Sequence, residues 1–253
     1  MPTARMPLSA VIITRDAASQ LPACLQSLHF CDEILVLDSG STDGTQQLAA
    51  AYGARVVEAE WRGFGPQKQL AVATALHDWV LCVDADERIS ETLRASILAA
   101  LTQPAHDIYR FARCNRFLGR YLRHGEGYPD WSPRLFDRRQ ARWSDDAVHE
   151  KVLSAATPAP LAGDLLHDSA ESLEHYLAKQ NRYTTLAAAS AFAAGKRAAV
   201  LKLILSPLLR FCKFYFLRLG CLDGLPGLVH ILIGCHNSFC KYAKLLELQR
   251  RVR

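Results

Sequence analysis

Two carboxylates one residue apart, Asp84 and Asp86, end the apolar run Trp79-Val80-Leu81-Cys82-Val83, and Glu87 and Arg88 follow them. A short run of this kind that stops at charge reads as a buried strand entering a loop. In an open parallel sheet, ligands bind just past the carboxyl ends of the strands, so both acids stand where a ligand would be. Acids at this spacing can share a hard divalent cation. Mg²⁺ and Mn²⁺ take oxygen ligands, and Mg²⁺ usually keeps few protein ligands beside phosphate oxygens. Taken alone, Asp-x-Asp fits a solvated strand end more often than a metal site.

Other residues bear on the same chemistry. Asp38 ends the run Ile34-Leu35-Val36-Leu37 as Asp84 ends its own, so the two would flank one crevice. A carboxylate there can accept hydrogen bonds from a base N–H or a ribose hydroxyl, and a turn-forming Asp explains the residue equally well. Ser41 and Asp43 read as functional or as N-caps. Lys68 enters a helix before the Asp84 strand and can pair with phosphate or ribose oxygens, although a solvated lysine satisfies the residue alone better. Arg134 lies in Tyr128-Pro129-Asp130-Trp131-Ser132-Pro133-Arg134-Leu135-Phe136, an aromatic, proline-stiffened segment suited to a phosphate or sugar. Trp131 there can stack on a sugar ring or fill a core. Asp145, Asp146, His149 and Glu150 then place four proton acceptors or metal ligands within six residues.

The elements that position these groups follow from periodicity. Strands are expected at Leu8–Thr14, 32–38, Ala54–Glu58 and Trp79–Val83. Helices are expected at Ala17–Leu28, Gln46–Tyr52, Gln67–Ala75 and Glu91–Leu101, the last capped by Ser90. Strands alternating with helices predict a mostly parallel α/β sheet. Arg110–Phe117 alternates like a half-exposed strand, and Ser154–Gly163 reads as a loop. Residues 1–165 would form the catalytic domain and 166–253 a helical extension. Asn181–Ala194 is alanine-rich and periodic. In Ala198–Leu219, Lys202, Ser206, Arg210 and Lys213 fall within about 80° of one another at 100° per residue, a basic stripe on an apolar helix that Pro207 would kink. The run Leu225–Cys235 is too short to span a bilayer.

Half of the 253 residues are hydrophobic, enough for a sizeable core. The eight cysteines form no Cys-x-x-Cys pair and several lie in apolar runs, so reduced core residues of a cytosolic protein are expected. Met1–Pro7 is polar and the apolar run after it is strand-length, so no signal peptide is expected. Residues 196–253 hold 11 Lys/Arg against two acids, net +9, which leaves −4 for the rest of the chain. That asymmetry and the interleaved Phe211, Phe214, Tyr215 and Phe216 fit a helix on an anionic membrane surface. A helix packed on the catalytic domain with a solvated stripe is the plainer reading. No Gly-x-Gly-x-x-Gly follows the first strand and no Gly-x-x-x-x-Gly-Lys-Ser/Thr occurs, which argues against a dinucleotide oxidoreductase and a P-loop NTPase. Asp-Ala-Asp lacks the threonine of a phosphatase Asp-x-Asp-x-Thr motif.

Val11-Ile12-Ile13-Thr14, Asp38-Ser39-Gly40-Ser41-Thr42-Asp43-Gly44-Thr45 and Asp84-Ala85-Asp86-Glu87, in that order and at those separations, resemble the family 2 inverting glycosyltransferases of GT-A fold. The resemblance covers residues 8 to about 150. It implies a nucleotide-sugar donor held by Thr14, Asp38 on the base, Lys68 on ribose or phosphates, Asp84 on ribose or sugar, and Arg134. It also implies Mg²⁺ or Mn²⁺ at Asp86 bridging the diphosphate. An inverting transferase needs one base for the acceptor hydroxyl. Glu150 is the choice, with His149 a candidate ligand for metal or diphosphate and Asp145 or Asp146 the rivals. Val148-His149-Glu150, preceded by Pro-Asp-Trp and Arg-Leu-Phe, resembles the bacterial lipopolysaccharide inner-core branch, which includes a β-1,4-glucosyltransferase acting on heptose. The match runs on to Asp223-Gly224.

The resemblance thus implies transfer of glucose from UDP-glucose to a lipid-linked core oligosaccharide, peripherally on the cytoplasmic face of the inner membrane, without nucleic-acid binding. A polyprenyl-phosphate acceptor is the nearer alternative. A membrane-surface nucleotide-binding module without turnover is the farther one.

Overall fold

The computed structural model describes residues 5–147, 149–169 and 172–251. Its organising strand is β1, Leu8–Thr14, of which all but one residue is buried. A strand covered on both faces reads as a continuous apolar run because neither face meets water. β1 pairs in parallel with β2 (Glu33–Asp38), which pairs in parallel with β3 (Arg55–Glu58). On its other side β1 pairs in parallel with β4 (Trp79–Cys82). Thr14 sits opposite Asp38, and the Val83 amide donates to the Val11 carbonyl at 3.1 Å. The carboxyl ends of β1, β2 and β4 therefore open on one edge.

Alternate residues of β1 feed opposite faces, as the two-residue period of a strand requires. Ala10 and Ile12 join the core under α1 (Leu21–Ser27), α2 (Thr45–Ala51) and α4 (Glu91–Thr102), whereas Val11 packs with Ala71 and Val72 of α3 (Phe64–Thr74). α1 starts four residues later than periodicity predicts, because a turn from Ala17 to Gln20 precedes it and Pro22 suits its first turn. α3 starts three residues earlier than expected, at Phe64, with Pro66 in its first turn.

Beyond β4, antiparallel pairs enter the sheet. After β5 (Glu87–Ile89) come β6 (Ile108–Phe117), β7 (Arg120–Tyr121) and β8 (Asp130–Asp137). β8 pairs antiparallel with β4 and with β6. β9 (Ala141–Trp143) and β10 (Val152–Ser154) form a separate two-stranded ribbon. β11 (Ala159–His167) pairs antiparallel with β5. The sheet order is β3-β2-β1-β4-β8-β6-β11-β5, with β7 beside β6, so the sheet is mixed. Residues 159–163, expected as loop, are strand. Their Ala-Pro-Leu-Ala-Gly composition hides that, but Gly163, at φ 99°, packs where a Cβ would lie 2.3 Å from the Leu93 amide. Ser90 ties the two elements, its Oγ accepting from Leu93 N at 3.3 Å and Asp164 N at 3.0 Å.

The chain divides into two units. The first holds residues up to 114 and 130–168, and the second holds 115–129 and the chain from 169. The division falls three residues after the expected 165, and the 115–129 segment joins the helical part, which sequence reading did not anticipate. The second unit contains α5 (Leu173–Ala193), α6 (Val200–Phe211), a π-helical turn (Cys212–Leu217), a 3₁₀ turn (Gly220–Asp223) and α7 (Gly224–Arg251). Tyr176 and His230 bond at 3.2 Å beside Phe117, and Lys244 donates to Asn181, Thr184 and Thr185. None of the eight cysteines is in a disulfide; Cys24, Cys82 and Cys114 are buried, but Cys212 and Cys221 are exposed.

Candidate functional site

The loop after β2 is built around Asp38, which is fully buried. Its Oδ1 accepts from the Gly40 and Ser41 amides at 3.1 and 2.8 Å and from Gln46 Nε2 at 2.7 Å. Its Oδ2 accepts from Thr14 Oγ1 at 2.8 Å and Ser41 Oγ at 2.5 Å. Burial works against its charge, but these donors hold the carboxyl below the usual range. Five donors use the acceptor sites of a carboxylate. Asp38 therefore shapes the loop in this structure, the turn-forming role left open by the sequence. The same segment locks the β1–α1 loop: Ser41, Thr45 and Asp43 accept from the amides of Asp16, Ala17 and Ala18 at 2.8, 2.8 and 2.9 Å.

Past the end of β4, Asp84 meets two cations. Lys68 Nζ lies 3.0 Å from its Oδ1 and Arg134 Nη2 lies 3.0 Å from its Oδ2. Lys68, on α3, and Arg134, on β8, are both buried, and both lie over the Trp143 ring, at 4.9 and 5.4 Å from its centroid. Burial opposes charge on Asp84, but Arg134 and Lys68 hold its carboxyl well below the usual range. Glu87 is fully buried, accepts from the Asp84 amide at 2.9 Å, and is pushed up by that burial despite Arg134 3.7 Å away. The Trp143 indole N–H points at Cys82 Sγ, 3.3 Å away, and burial pushes that thiol up to about 11. Arg134 Nη1 is buried without a hydrogen-bond partner.

Lys68 also reaches Glu150 Oε1 at 2.9 Å, so one ammonium bridges Asp84 and the expected base. The loop carrying Glu150 closes at its foot through Ser144, whose amide donates to the Lys151 carbonyl at 2.8 Å. It rests on the start of α3: the Phe64 and Gly65 amides donate to the carbonyls of Ala147 and Asp146, each at 3.1 Å. A Cβ on Gly65 would meet Ser144 O at 2.2 Å, so this contact requires glycine. Asp145 and Asp146 are exposed, and Asp145 pairs with Arg142 at 3.3 Å. Val148 lies outside the described residues.

Asp86 Oδ2 lies 3.1 Å from His167 Nε2, at the end of β11. The Asp168 amide donates to the Asp86 carbonyl at 2.9 Å and fixes this junction. A carboxylate and an imidazole at this separation can hold a divalent cation between them, and a nitrogen ligand suits Mn²⁺ better than Mg²⁺. Among the described residues no three His, Cys, Asp or Glu side chains gather as a cage. The donor set thus fits a cation that takes its remaining ligands from phosphate and water. His149 is exposed, with φ 67°, and joins no such group. His167 stands beside Asp86 instead. Asp84, Asp86 and His167 line a cleft of about 640 Å³ together with Thr14, Arg15 and Trp61. That volume suits a ligand of nucleotide-sugar size.

Sequence reasoning missed His167, Arg15 and the edge-to-face pair Trp61–Phe64, whose centroids are 4.9 Å apart at the cleft. The signal for His167 was a histidine closing the apolar pair Leu165-Leu166, masked by the loop-like residues before it. Trp131, weighed as a sugar platform, is half exposed under the Arg110 guanidinium, 5.0 Å from its ring centroid.

A mixed sheet whose parallel half ends in Asp38 and Asp84, flanked by helices and opening on a cleft at Asp84, Asp86 and His167, has the architecture of a GT-A fold. Residues 9–156 match Glycosyl transferase family 2, and the chain belongs to that family. It is 32% identical over 252 residues, 96% of this chain and 93% of the other, to the lipopolysaccharide core biosynthesis glycosyltransferase LpsC of Rhizobium meliloti. It is 28% identical to an uncharacterized glycosyltransferase of Rickettsia felis, across 95% of this chain and 89% of that one. The mannosyltransferase PcManGT of Pyrobaculum calidifontis, solved with GDP-Man and Mn²⁺, shares the fold across all of this chain and 77% of its own, at TM-score 0.53 and 18% identity.

Proposed function

We propose that this glycosyltransferase moves glucose from UDP-glucose, with inversion, to the heptose region of a lipopolysaccharide core oligosaccharide. The Asp86–His167 pair at the mouth of a cleft that also holds Asp84 carries the reading, because it marks where a diphosphate would lie. The likeness to LpsC over nearly the whole chain supports the acceptor class. A Mn²⁺ or Mg²⁺ ion held by Asp86 and His167 would neutralise charge on the departing diphosphate.

The chain's own groups do the rest. Asp84, fixed by Lys68 and Arg134, accepts hydrogen bonds from ribose or sugar hydroxyls. Lys68 and Arg134 keep a positive field beneath the donor. Thr14 and Asp38 hold the β2 loop in the shape that receives the base. Glu150 takes the proton from the acceptor hydroxyl as its oxygen bonds to the anomeric carbon. The bond from that carbon to the diphosphate oxygen breaks, and UDP leaves with the electron pair. Attack opposite the leaving group turns an α-linked donor into a β product. The enzyme works peripherally at the cytoplasmic face of the inner membrane, where the basic excess of residues 196–253 meets anionic lipid.

Calorimetric titration with UDP-glucose, with and without Mn²⁺ or Mg²⁺, tests the donor half. Metal-dependent binding that Asp86→Ala and His167→Ala abolish is expected. Equal binding in chelator overturns the metal reading. Glu150→Gln should keep donor binding and lose transfer by about 10²-fold or more, the scale of general-base catalysis. Near-normal transfer would move the base to Asp145 or Asp146.

A further inference from the structure

A helix on a water-soluble protein turns its apolar stripe to the core and its polar face to solvent. α6 does the reverse. None of its residues is buried, and Val200, Ile204 and Leu209 are each about two-thirds exposed. With Leu201, Leu205 and Leu208 they fill an arc of about 180° at 100° per residue. The opposite arc points into the second unit. Ser206 Oγ lies 2.6 Å from Ser238 Oγ of α7, and the Arg210 guanidinium makes a two-pronged ion pair with Glu126. A Cβ on Gly234 of α7 would strike that pair, 2.2 Å from Glu126 Oε2. Arg210 and Ser206 of the expected basic stripe therefore face inward, and only Lys202 and Lys213 of that stripe are exposed.

The exposed apolar strip continues past α6. Leu217 is 80% and Leu225 is 70% exposed, with Leu219 and Leu222 between them. These residues follow the 75° bend between Val200–Leu217 and Gly220–Arg251. Among the described residues no single helix is long and apolar enough to cross a membrane.

We propose that the α6 face and the leucines of the bend are inserted into the acyl region of one leaflet of an anionic bilayer. The inference rests on the membrane attachment proposed above and adds apolar insertion, which attachment by charge would not need. Ser206 and Arg210 of α6 are satisfied internally, by Ser238 and Glu126, and the exposed Lys202 can extend its ammonium to the headgroups. The strip's cations select lipid over a second copy of the chain. From Lys196 to Leu222 there are six Lys/Arg and no acid, and all of the six but the inward Arg210 are exposed. A two-fold contact between copies sets the same patch against itself, so these cations would face one another, whereas lipid headgroups offer the opposite charge.

Flotation of the full chain with vesicles tests this, using phosphatidylcholine alone and phosphatidylcholine with about one-quarter phosphatidylglycerol. Binding to both that survives about 1 M NaCl is expected, because salt screens charge and leaves apolar insertion intact. The double substitution Leu208→Glu and Leu209→Glu should lower vesicle binding about tenfold or more, with UDP-glucose binding unchanged. Full release by salt overturns insertion. So does concentration-dependent self-association in lipid-free buffer that the same double substitution abolishes, which would make the strip an interface between copies. A Phe216→Trp chain provides a second readout, since the native tryptophans all lie in the first unit. Added quenching by acyl-brominated lipid is expected, and no added quenching overturns the proposal. Loss of UDP-glucose binding in the unaltered chain would instead count against the transferase reading alone.

Discussion

Asp84 is the residue on which the proposed donor site balances. Burial resists its charge, yet Arg134 and Lys68 keep its carboxyl well below the usual range. A carboxylate favoured in this way adds stability that is complete above its unfolded value near pH 4 and is lost as pH falls through the folded value. Asp84→Asn should cost about 3 kcal/mol at pH 7, since it leaves two buried cations with half their partner. It should also flatten the acid limb, so that urea midpoints of variant and parent begin to converge as pH falls below about 4 and keep converging to well below about pH 3. An unchanged gap across that range would show that Asp84 is not the group titrating. Lys68 has a second role at this scale. It holds Glu150 at 2.9 Å, so Lys68→Met should free that carboxylate to leave its position and lower kcat for transfer by about tenfold or more, read in a transfer assay.

At the scale of elements, the site depends on close backbone contacts more than on helix propensity. Gly65 lets the Glu150 loop rest on the start of α3, and Gly163 lets β11 rest on α4. Gly65→Ala should cost about 2 kcal/mol by overpacking and reduce transfer more than donor binding, because it moves the loop that carries Glu150, the proposed base. Gly40→Ala is the control: its φ is 81°, but nothing lies within 4 Å of the added Cβ. Strain alone should cost about 1 kcal/mol there, seen as a smaller drop in melting temperature. Such contacts also mark what the sequence could and could not disclose. β1, β2 and β4 were legible because strands buried on both faces spell unbroken apolar runs. Asp84 and Asp86 were legible because those runs stop at charge. β11 was not, because Ala-Pro-Leu-Ala-Gly lacks β-branched residues and its glycine serves a contact with α4, far away in sequence. His167 was lost with it. The inward turn of Arg210 was invisible for a related reason: helical periodicity tells which residues share a face, and only Glu126, 84 residues away, tells which way the face points.

For the whole molecule, the telling feature is that the 115–129 segment belongs to the helical unit while lying between two strands of the sheet unit. His124 donates its amide to the buried Asp223 carboxylate at 2.8 Å, Arg120 reaches the Leu222 carbonyl at 3.0 Å, and the Gly125 amide reaches the Arg218 carbonyl at 2.8 Å. Removing everything after Asp168 strips the segment of these partners. Trypsin should then cut at Arg116, Arg120 or Arg123 about tenfold faster or more than in the full chain, since opening of an unsupported segment costs little. Equal rates would mean that the segment holds its shape alone. The feature also sets a timetable for the ribosome. His124 is made 99 residues before Asp223. At bacterial elongation rates of about 5–20 residues per second, the segment waits about 5–20 s for its partner. During that interval the pairing of β6 with β8, on either side of the segment, has to hold without it.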